Sequence, residues 1–273
     1  MDEPRGRLTK DGIRIYEPAD FAGMRRAGRL AADILDRVAP LVVPGTTTEV
    51  LDDFIRNEVE AAGAASATIG YRGYQHASCI SVNHVVCHGI PGPKKLNDGD
   101  ILNVDVTVIV DGWYGDTSRM YVAGALSRKA ERLIEVTHEA LFKGIEAVRP
   151  GNTFGDIGHA IQSYVEANRM AVVRDFCGHG LGRVFHAAPN VLHYGRAGSG
   201  PRLEEGMFFT IEPMVNLGRP ETKVLADDWT AVTRDKSLSA QFEHSVGVTA
   251  DGCEVFTQSP AGLFHPTWGL RER

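Results

Sequence analysis

The sequence has few cysteines, no long apolar run and no basic excess, and each absence excludes a class of protein. Only four Cys occur in 273 residues, and none forms a CxxC pair, which excludes a disulfide scaffold and a thiolate zinc knuckle. The net charge of -6 argues against a general nucleic-acid-binding protein. No apolar run approaches the roughly 20 residues of a membrane span, and the opening MDEPRGRLTKDG lacks a signal peptide's apolar segment. We therefore expect a cytoplasmic protein that binds neither nucleic acid nor membrane.

The sequence contains three segments with a helical pattern. Residues 1–17 lack such a pattern and are expected to form a flexible leader. Asp20 is expected to cap a first helix that ends near Ala39, and a Thr46–Glu49 capping box to begin a second. A third helix is predicted over about 127–148, before the Pro150-Gly151 break.

A hairpin is predicted over residues 102–121, LNVDVTVIVDGWYGDTSRMY. Apolar residues alternate along its first half, and Asp111-Gly112 is a strong signal for a two-residue turn. Because successive strand residues point to opposite faces, Asp105 and Thr107 share one face, and the turn brings Asp116 back towards them.

Two carboxylates in an apolar sheet are costly unless a positive group accompanies them, and no Lys or Arg lies between Asp105 and Asp116 in the sequence. A divalent cation is one solution. The alternative is that Asp105 faces solvent and Asp116 caps a turn. The hairpin alone leaves both interpretations open.

An internal repeat extends this pattern to the second half. PGTTTEVLDDFIRNEVEA from Pro44 aligns with PGNTFGDIGHAIQSYVEA from Pro150. LNDGDILNVDV aligns with LEEGMFFTIEP and places Asp105 on Glu212, while CHGI over GHGL places His88 on His179. The repeat predicts two related halves whose strands and acidic residues meet at a pseudo-twofold axis.

The second half adds three candidate ligands on segments that resemble strands. His179 lies in CGHGLGRVFH, Glu212 in MFFTIEPMV and Glu243 in LSAQFEHSVGV. With Asp105 and Asp116 they form a set of four carboxylates and one imidazole, which suits two divalent ions chosen from Mn, Fe(II), Co or Zn.

Other motifs are weaker. The glycines around His179 lack the spacing of a dinucleotide-binding loop, and His138-Glu139 lacks the second His of a zincin helix. Cys87 beside His88 is a poor nucleophile–base pair, because adjacent strand residues point apart.

With these residues in place, the chain resembles the type I methionine aminopeptidases of the short bacterial form. The resemblance runs from about Ile13 to Gln258 and is carried by GYRGYQHASCISVNHVVCHGIP, LNVDVTVIVDGWYGDTS, CGHGLGRVFH, FTIEPMVN and LSAQFEHSV. It implies the pita-bread fold, an α/β (α+β) arrangement of two pseudo-symmetric halves with a curved antiparallel sheet covered by helices. It divides the chain into the leader, a catalytic domain over 18–258 and a tail over 259–273.

The resemblance also implies an activity, removal of the initiator Met from nascent polypeptides near the ribosome by a monomeric enzyme, with preference for a small second residue. Asp105 would hold one ion, Asp116 and Glu243 would bridge both, and His179 and Glu212 would complete the other. A metal-bridging water or hydroxide would attack the scissile carbonyl, with Glu212 as proton shuttle. His186 would contact the carbonyl oxygen and His88 the scissile nitrogen.

Similarity to the family further nominates an apolar pocket for the Met side chain and a site for a monovalent cation. The pocket residues are Tyr71, Tyr74, Cys79, Phe185 and Trp229. The cation would bind backbone near Asn83, Val85 and Ser239.

Two competing functions stay open on the same scaffold. A proline-specific aminopeptidase would need a large extra N-terminal domain, for which the chain has no space. A non-catalytic binding protein would be expected to have lost metal ligands, and all five are present.

Overall fold

The computed structural model describes residues 6–263, which form four helices and a set of antiparallel sheets. The helices are α1 (Phe21–Val38), α2 (Thr48–Ala61), α3 (Arg128–Glu146) and α4 (Phe154–Ala167). The strands are β1 (Arg7–Leu8), β2 (Arg14–Ile15), β3 (Ala65–Ser66), β4 (Cys79–Val82), β5 (Val85–Cys87), β6 (Asp100–Val110), β7 (Trp113–Ala123), β8 (Ala171–Val172), β9 (Gly178–Gly180), β10 (Ala187–Val191), β11 (Phe208–Ile211), β12 (Met214–Asn216), β13 (Thr222–Val224), β14 (Ala231–Thr233), β15 (Ser239–Gln241), β16 (His244–Val248) and β17 (Cys253–Val255). Among the described residues, no helix is long and apolar enough to cross a membrane.

The predicted helices are present, but two of their caps differ from the prediction. A 3₁₀ turn over Pro18–Asp20 precedes α1, and Asp20 accepts the Glu17 N–H within that turn instead of capping α1. The cap of α2 is Thr47, not Thr46, because the Thr47 hydroxyl accepts the Val50 N–H. In both cases the helix start lies within a residue or two of the predicted one, where local sequence is least decisive.

The predicted hairpin is β6 and β7, joined by Asp111 and Gly112. Both turn residues have positive φ, as a type I′ turn requires. The register pairs Thr107 with Asp116 and runs without interruption over eleven residue pairs. The opposite face of β6 packs on α1 and α2 through its buried valines, which are Val104, Val106 and Val108.

The corresponding strands of the second half are broken in the middle. Strand β11 pairs with β16, and β12 pairs with β15, in one continuous register. Glu212 and Pro213 interrupt one side, and Phe242 and Glu243 interrupt the other. Because the register is the same on both sides of the break, Glu212 and Glu243 lie directly opposite each other.

The two halves meet at β7 and the segment around Glu243. The Glu243 N–H donates to the Ser118 carbonyl, and the Thr117 hydroxyl donates to the Glu243 carbonyl. In the same way, the Asp116 N–H donates to the Ser245 hydroxyl, which donates in turn to the Asp116 carbonyl. These bonds join the two halves directly and bring acids from both halves together.

The flexible leader predicted over residues 1–17 is wrong for the described part, 6–17. Strands β1 and β2 form a small hairpin, Ile15 pairs with Met207, and Ile13 is 2% exposed. Burial of Ile13, Ile15 and Tyr16 against the core fixes this segment. The first tail residues also pack, since Ser259 donates a hydrogen bond to Asp36; residues 264–273 lie outside the described residues.

Candidate metal centre

The first two acids project from one face of the β6–β7 hairpin. Asp105 pairs with Ser118, and Thr107 pairs with Asp116, so the two carboxylates lie diagonally on the same face. The Thr107 hydroxyl donates to Asp116 Oδ1 at 2.7 Å. This bond fixes one oxygen of Asp116 and leaves the other directed towards the second half.

His179 lies in β9, and its ring is oriented by its neighbour. The ring Nδ1 lies 3.1 Å from the Gly180 carbonyl, to which it donates, so Nε2 is unprotonated in the neutral ring. Nε2 lies 3.5 Å from Asp116 Oδ2 and 3.7 Å from Glu212 Oε1. A histidine held through one nitrogen and open at the other is the arrangement that orients metal-binding imidazoles.

Ligand atoms of Asp116, His179 and Glu243 lie within 4.8 Å of one another. Glu212 lies opposite Glu243, and its Oε1 accepts a hydrogen bond from the Thr210 hydroxyl at 2.7 Å. All five predicted ligands, including Asp105, line one cavity of about 330 Å³.

Burial and mutual repulsion disfavour the ionised form of these acids. Burial, followed by the charges of Asp116 and Glu212, raises the pKa of Asp105 well above its usual range. Burial and the Asp116 charge likewise raise the pKa of Glu243, and burial raises that of Glu212 to about 7. Burial acts to lower the pKa of His179, but the bond to Asp116 and the charge of Glu212 outweigh it and raise the pKa.

The donor set therefore fits divalent cations. Four carboxylates converge on one imidazole, and the lining of the cavity includes one basic side chain, Arg72, which is exposed. Carboxylates with one imidazole suit Mn, Fe, Co or Zn. A cation among them would favour their ionised form and reverse the pKa shifts.

The two further predicted histidines line the same cavity in unusual backbone conformations. His88 and His186 have φ of 55° and 58°, in the left-handed region that few residues other than Gly adopt. Such strain is common at functional sites. Burial lowers the pKa of His88, and burial together with the His179 charge lowers that of His186 to about 4, so both rings are neutral near pH 7.

The five residues nominated for the Met side chain line the same cavity as the carboxylates. The ring centroids of Tyr71 and Phe185 are 4.9 Å apart, and those of Tyr74 and Trp229 are also 4.9 Å apart. Cys79 is buried and pairs with Asp105 across β4 and β6. Their role in binding Met stays a prediction.

The structure adds supporting residues that the sequence analysis missed. Thr210 holds Glu212 and also accepts the His179 N–H, and the Gln241 amide donates to Glu212 Oε2 at 3.3 Å. His193 accepts the Glu212 backbone N–H at 3.1 Å. Only the alternation around Glu212 and Glu243 could have suggested Thr210 and Gln241; no local signal identifies His193.

The predicted monovalent-cation positions lie close together. The Ser239 N–H donates to the Asn83 carbonyl at 2.9 Å, and Asn83 has a φ of 57°. The cation itself stays a prediction.

Comparison with known proteins identifies the family that carries this centre. The model of metallopeptidase family M24 matches residues 22–250. The chain belongs to metallopeptidase family M24. It is 55% identical over 257 residues to a methionine aminopeptidase of Rickettsia prowazekii, covering 94% of this chain and 99% of that protein. It is 50% identical over 250 residues to the Escherichia coli K12 methionine aminopeptidase, covering 90% and 94%.

Solved structures of M24 relatives share the fold. The crystal structure of the Rickettsia prowazekii methionine aminopeptidase matches with a TM-score of 0.89 at 56% identity, over 90% of this chain and all of that one. The Thermotoga maritima methionine aminopeptidase matches at 0.88 with 39% identity, over 90% and 99%. A Pyrococcus horikoshii prolidase at 19% identity and a TM-score of 0.72 shares the fold alone. The predicted resemblance, the pita-bread fold and the metallopeptidase class are confirmed.

Proposed function

We propose that the protein removes the N-terminal Met from nascent proteins and peptides whose second residue is small. The observation that carries this proposal is the convergence of four carboxylates and the open Nε2 of His179 beside an aromatic pocket in a family M24 chain. Relatives of 50% and 55% identity that span nearly the whole chain are methionine aminopeptidases.

Five residues would hold two divalent ions. Asp105 would bind one ion, Asp116 and Glu243 would bridge both, and His179 and Glu212 would complete the other. The 3.5 Å and 3.7 Å separations of His179 Nε2 from Asp116 and Glu212 support this division. When bound, the ions supply an activated water at neutral pH and polarise the scissile carbonyl. Which metal acts in the cell is a matter of availability as much as of these ligands.

Three side chains would handle the substrate and its protons. Glu212 would take a proton from the attacking water and deliver it to the leaving nitrogen. His186 would donate a hydrogen bond to the carbonyl oxygen as negative charge develops there, and His88 would contact the scissile nitrogen. Their placement around one cavity, and the strained backbone of both histidines, support these roles.

The Met side chain would bind against Tyr71, Tyr74, Cys79, Phe185 and Trp229. A thioether makes favourable contacts with aromatic rings and is flexible enough to fill an irregular pocket.

The substrates would be nascent chains near the ribosome, met in the cytoplasm by a monomer. The four free thiols, two of them buried, support a reducing compartment. Sedimentation of the purified protein and its distribution between free and ribosome-bound fractions of a lysate test this assignment.

A peptide assay tests the function. With Mn(II) or Co(II), we expect release of Met from Met-Ala-Ser and no cleavage of Leu-Ala-Ser or Pro-Ala-Ser. If folded protein binds the four candidate metals but releases Met with none of them, the proposal is overturned.

Two variants test the division of roles between histidines and ligands. His88→Ala and His186→Ala should each lower kcat by about 100-fold or more, the usual result of removing a donor to a developing oxyanion or leaving group. Both variants should still bind two Mn(II) ions in a calorimetric titration. Loss of metal in either variant would contradict the assignment.

A further inference from the structure

We propose that His193 is a positioning residue that holds the main chain at Glu212, so that the Glu212 carboxylate faces His179. This inference rests on the proposed function in one respect only, the assignment of Glu212 to the metal centre. It starts from the hydrogen bonds available to the main chain where β11 ends and β12 begins.

Glu212 lies where its strand has no neighbour on one side. Strand β9 pairs with β11 before the break, and β8 pairs with β12 after it. Val173 still donates to the Met214 carbonyl, but residues 174–177 belong to no strand. No neighbouring strand therefore offers a carbonyl to the Glu212 N–H, and Pro213 has no N–H of its own.

His193 supplies the missing acceptor. Its Nε2 accepts the Glu212 N–H at 3.1 Å, and its ring is fully buried. An Nε2 that accepts a hydrogen bond is unprotonated, so Nδ1 carries the proton of the neutral ring. That Nδ1 is buried and has no hydrogen-bond partner within the part of the chain that the structure describes.

An unpaired buried donor is costly, because it has lost its hydrogen bonds to water without gaining a partner in the protein. An apolar side chain of the same shape would avoid that cost, so packing alone does not explain a histidine here. The hydrogen bond that His193 Nε2 accepts from the Glu212 N–H does explain it. The other acids are held differently: Asp105 lies in the continuous β6–β7 ladder, and the Glu243 N–H donates to the main chain of β7.

The segment that carries His193 is itself held in place. A Cβ at Gly158 in α4 would lie 2.4 Å from the Tyr194 carbonyl and 2.7 Å from the Leu192 carbonyl. The main chain on both sides of His193 therefore presses directly on α4. The packing against α4 therefore fixes the position from which the His193 ring projects.

Three variants test the proposal. His193→Phe keeps the ring but removes the acceptor, while His193→Gln retains an acceptor in its side-chain carbonyl. His138→Phe, in α3, is the control for the same exchange at another histidine, whose ring lies against Phe142 and Phe242.

We expect His193→Phe to lower the affinity for Mn(II) by about 10- to 100-fold, the usual cost of losing a partner that orients a ligand. The kcat should fall with little change in KM, and His193→Gln should recover a large part of both losses. Wild-type affinity and kcat in folded His193→Phe would overturn the proposal, and so would a failure of His193→Gln to improve on it.

A spectroscopic measurement does not depend on how the variants fold. In ¹⁵N spectra of the Zn(II)-loaded wild-type protein, His193 should carry its proton on Nδ1, with Nε2 as acceptor. A proton on Nε2 would overturn the proposal. Because metal affinity and tautomer are read without a peptide, they separate failure of this inference from failure of the proposed aminopeptidase activity.

Discussion

The two halves present their acids on strands of different continuity. In the first half, Asp105 and Asp116 belong to an unbroken hairpin whose ladder fixes the main chain at both. In the second half, Glu212 and Glu243 face each other across a break between two pairs of strands. The continuous ladder fixes the main chain at its acids, and Thr107 adds one bond to the Asp116 carboxylate. At the break, side chains hold both parts of Glu212, since Thr210 bonds to its carboxylate and His193 to its main chain.

Removal of either of the two acids proposed to bridge the ions, one in each half, is expected to have the largest effect. Asp116→Asn and Glu243→Gln should each reduce kcat/KM by more than about 100-fold, beyond the loss of a merely supporting partner. Both should bind fewer than two Mn(II) ions, because each carboxylate would contact both. Asp53→Asn, an exposed acid on α2, is the control. Near-normal metal content in only one of the two variants would show that the acids of the two halves do not contribute equally to metal binding.

Metal removal should couple stability to pH. Without metal, the pKa of Glu212 is about 7, above the 4.5 of an unperturbed Glu. The stabilisation of the folded protein that follows from this raised pKa is fully present below pH 4.5 and is lost as the pH rises through 7. The loss in free energy of unfolding is roughly 3 kcal/mol. Asp105 and Glu243 shift in the same direction.

Metal binding should oppose this trend, since the ligands must be ionised. The Tm of the chelated protein should therefore fall from pH 5 to 7.5, while the increase in Tm on adding Mn(II) grows. Differential scanning fluorimetry with and without metal measures both. A metal-induced increase that is the same at pH 5 and 7.5 would mean that these acids do not bind the ions.

One threonine in each half bonds to an acid of the site, so the two halves can be compared by removing each hydroxyl. Thr107→Val removes one 2.7 Å bond to Asp116, and Thr210→Val removes one to Glu212 together with the acceptor of the His179 N–H. We expect a loss in Mn(II) affinity of about 10-fold for Thr107→Val and a larger loss for Thr210→Val. Calorimetric titration of both variants decides the order; an equal or reversed order would show that the second half relies on its side chains no more than the first.

The smallest expected effect concerns the matching helix caps. Thr47→Ala in α2 and Thr153→Ala in α4 should each lower the free energy of unfolding by about 1 kcal/mol. The loss should be greater at Thr153, which is buried and whose hydroxyl donates to Asp156, than at the half-buried Thr47. Urea unfolding of the metal-loaded variants measures the difference. Neither variant should change the metal content.

The difference between the halves also explains what sequence could predict. The Asp111-Gly112 turn and the alternating valines determine a continuous hairpin locally, so its register and face were predictable. The position of Glu212 opposite Glu243 was not predictable, because the two interruptions hide the common register. His193 was missed because its contact with Glu212 spans 19 residues and depends on a gap in another strand. The leader was misjudged because its buried residues, Ile13 and Ile15, are too few to show a pattern.

Acids from both halves are proposed to share two cations in one cavity, and anomalous diffraction from Mn(II)-loaded crystals would locate those cations. We expect two peaks about 3.5–4 Å apart, between the β6–β7 hairpin and the break at Glu212 and Glu243, with His179 Nε2 bound to one of them. Peaks elsewhere, or an empty cavity in crystals of protein that releases Met, would show that these acids do not share the ions.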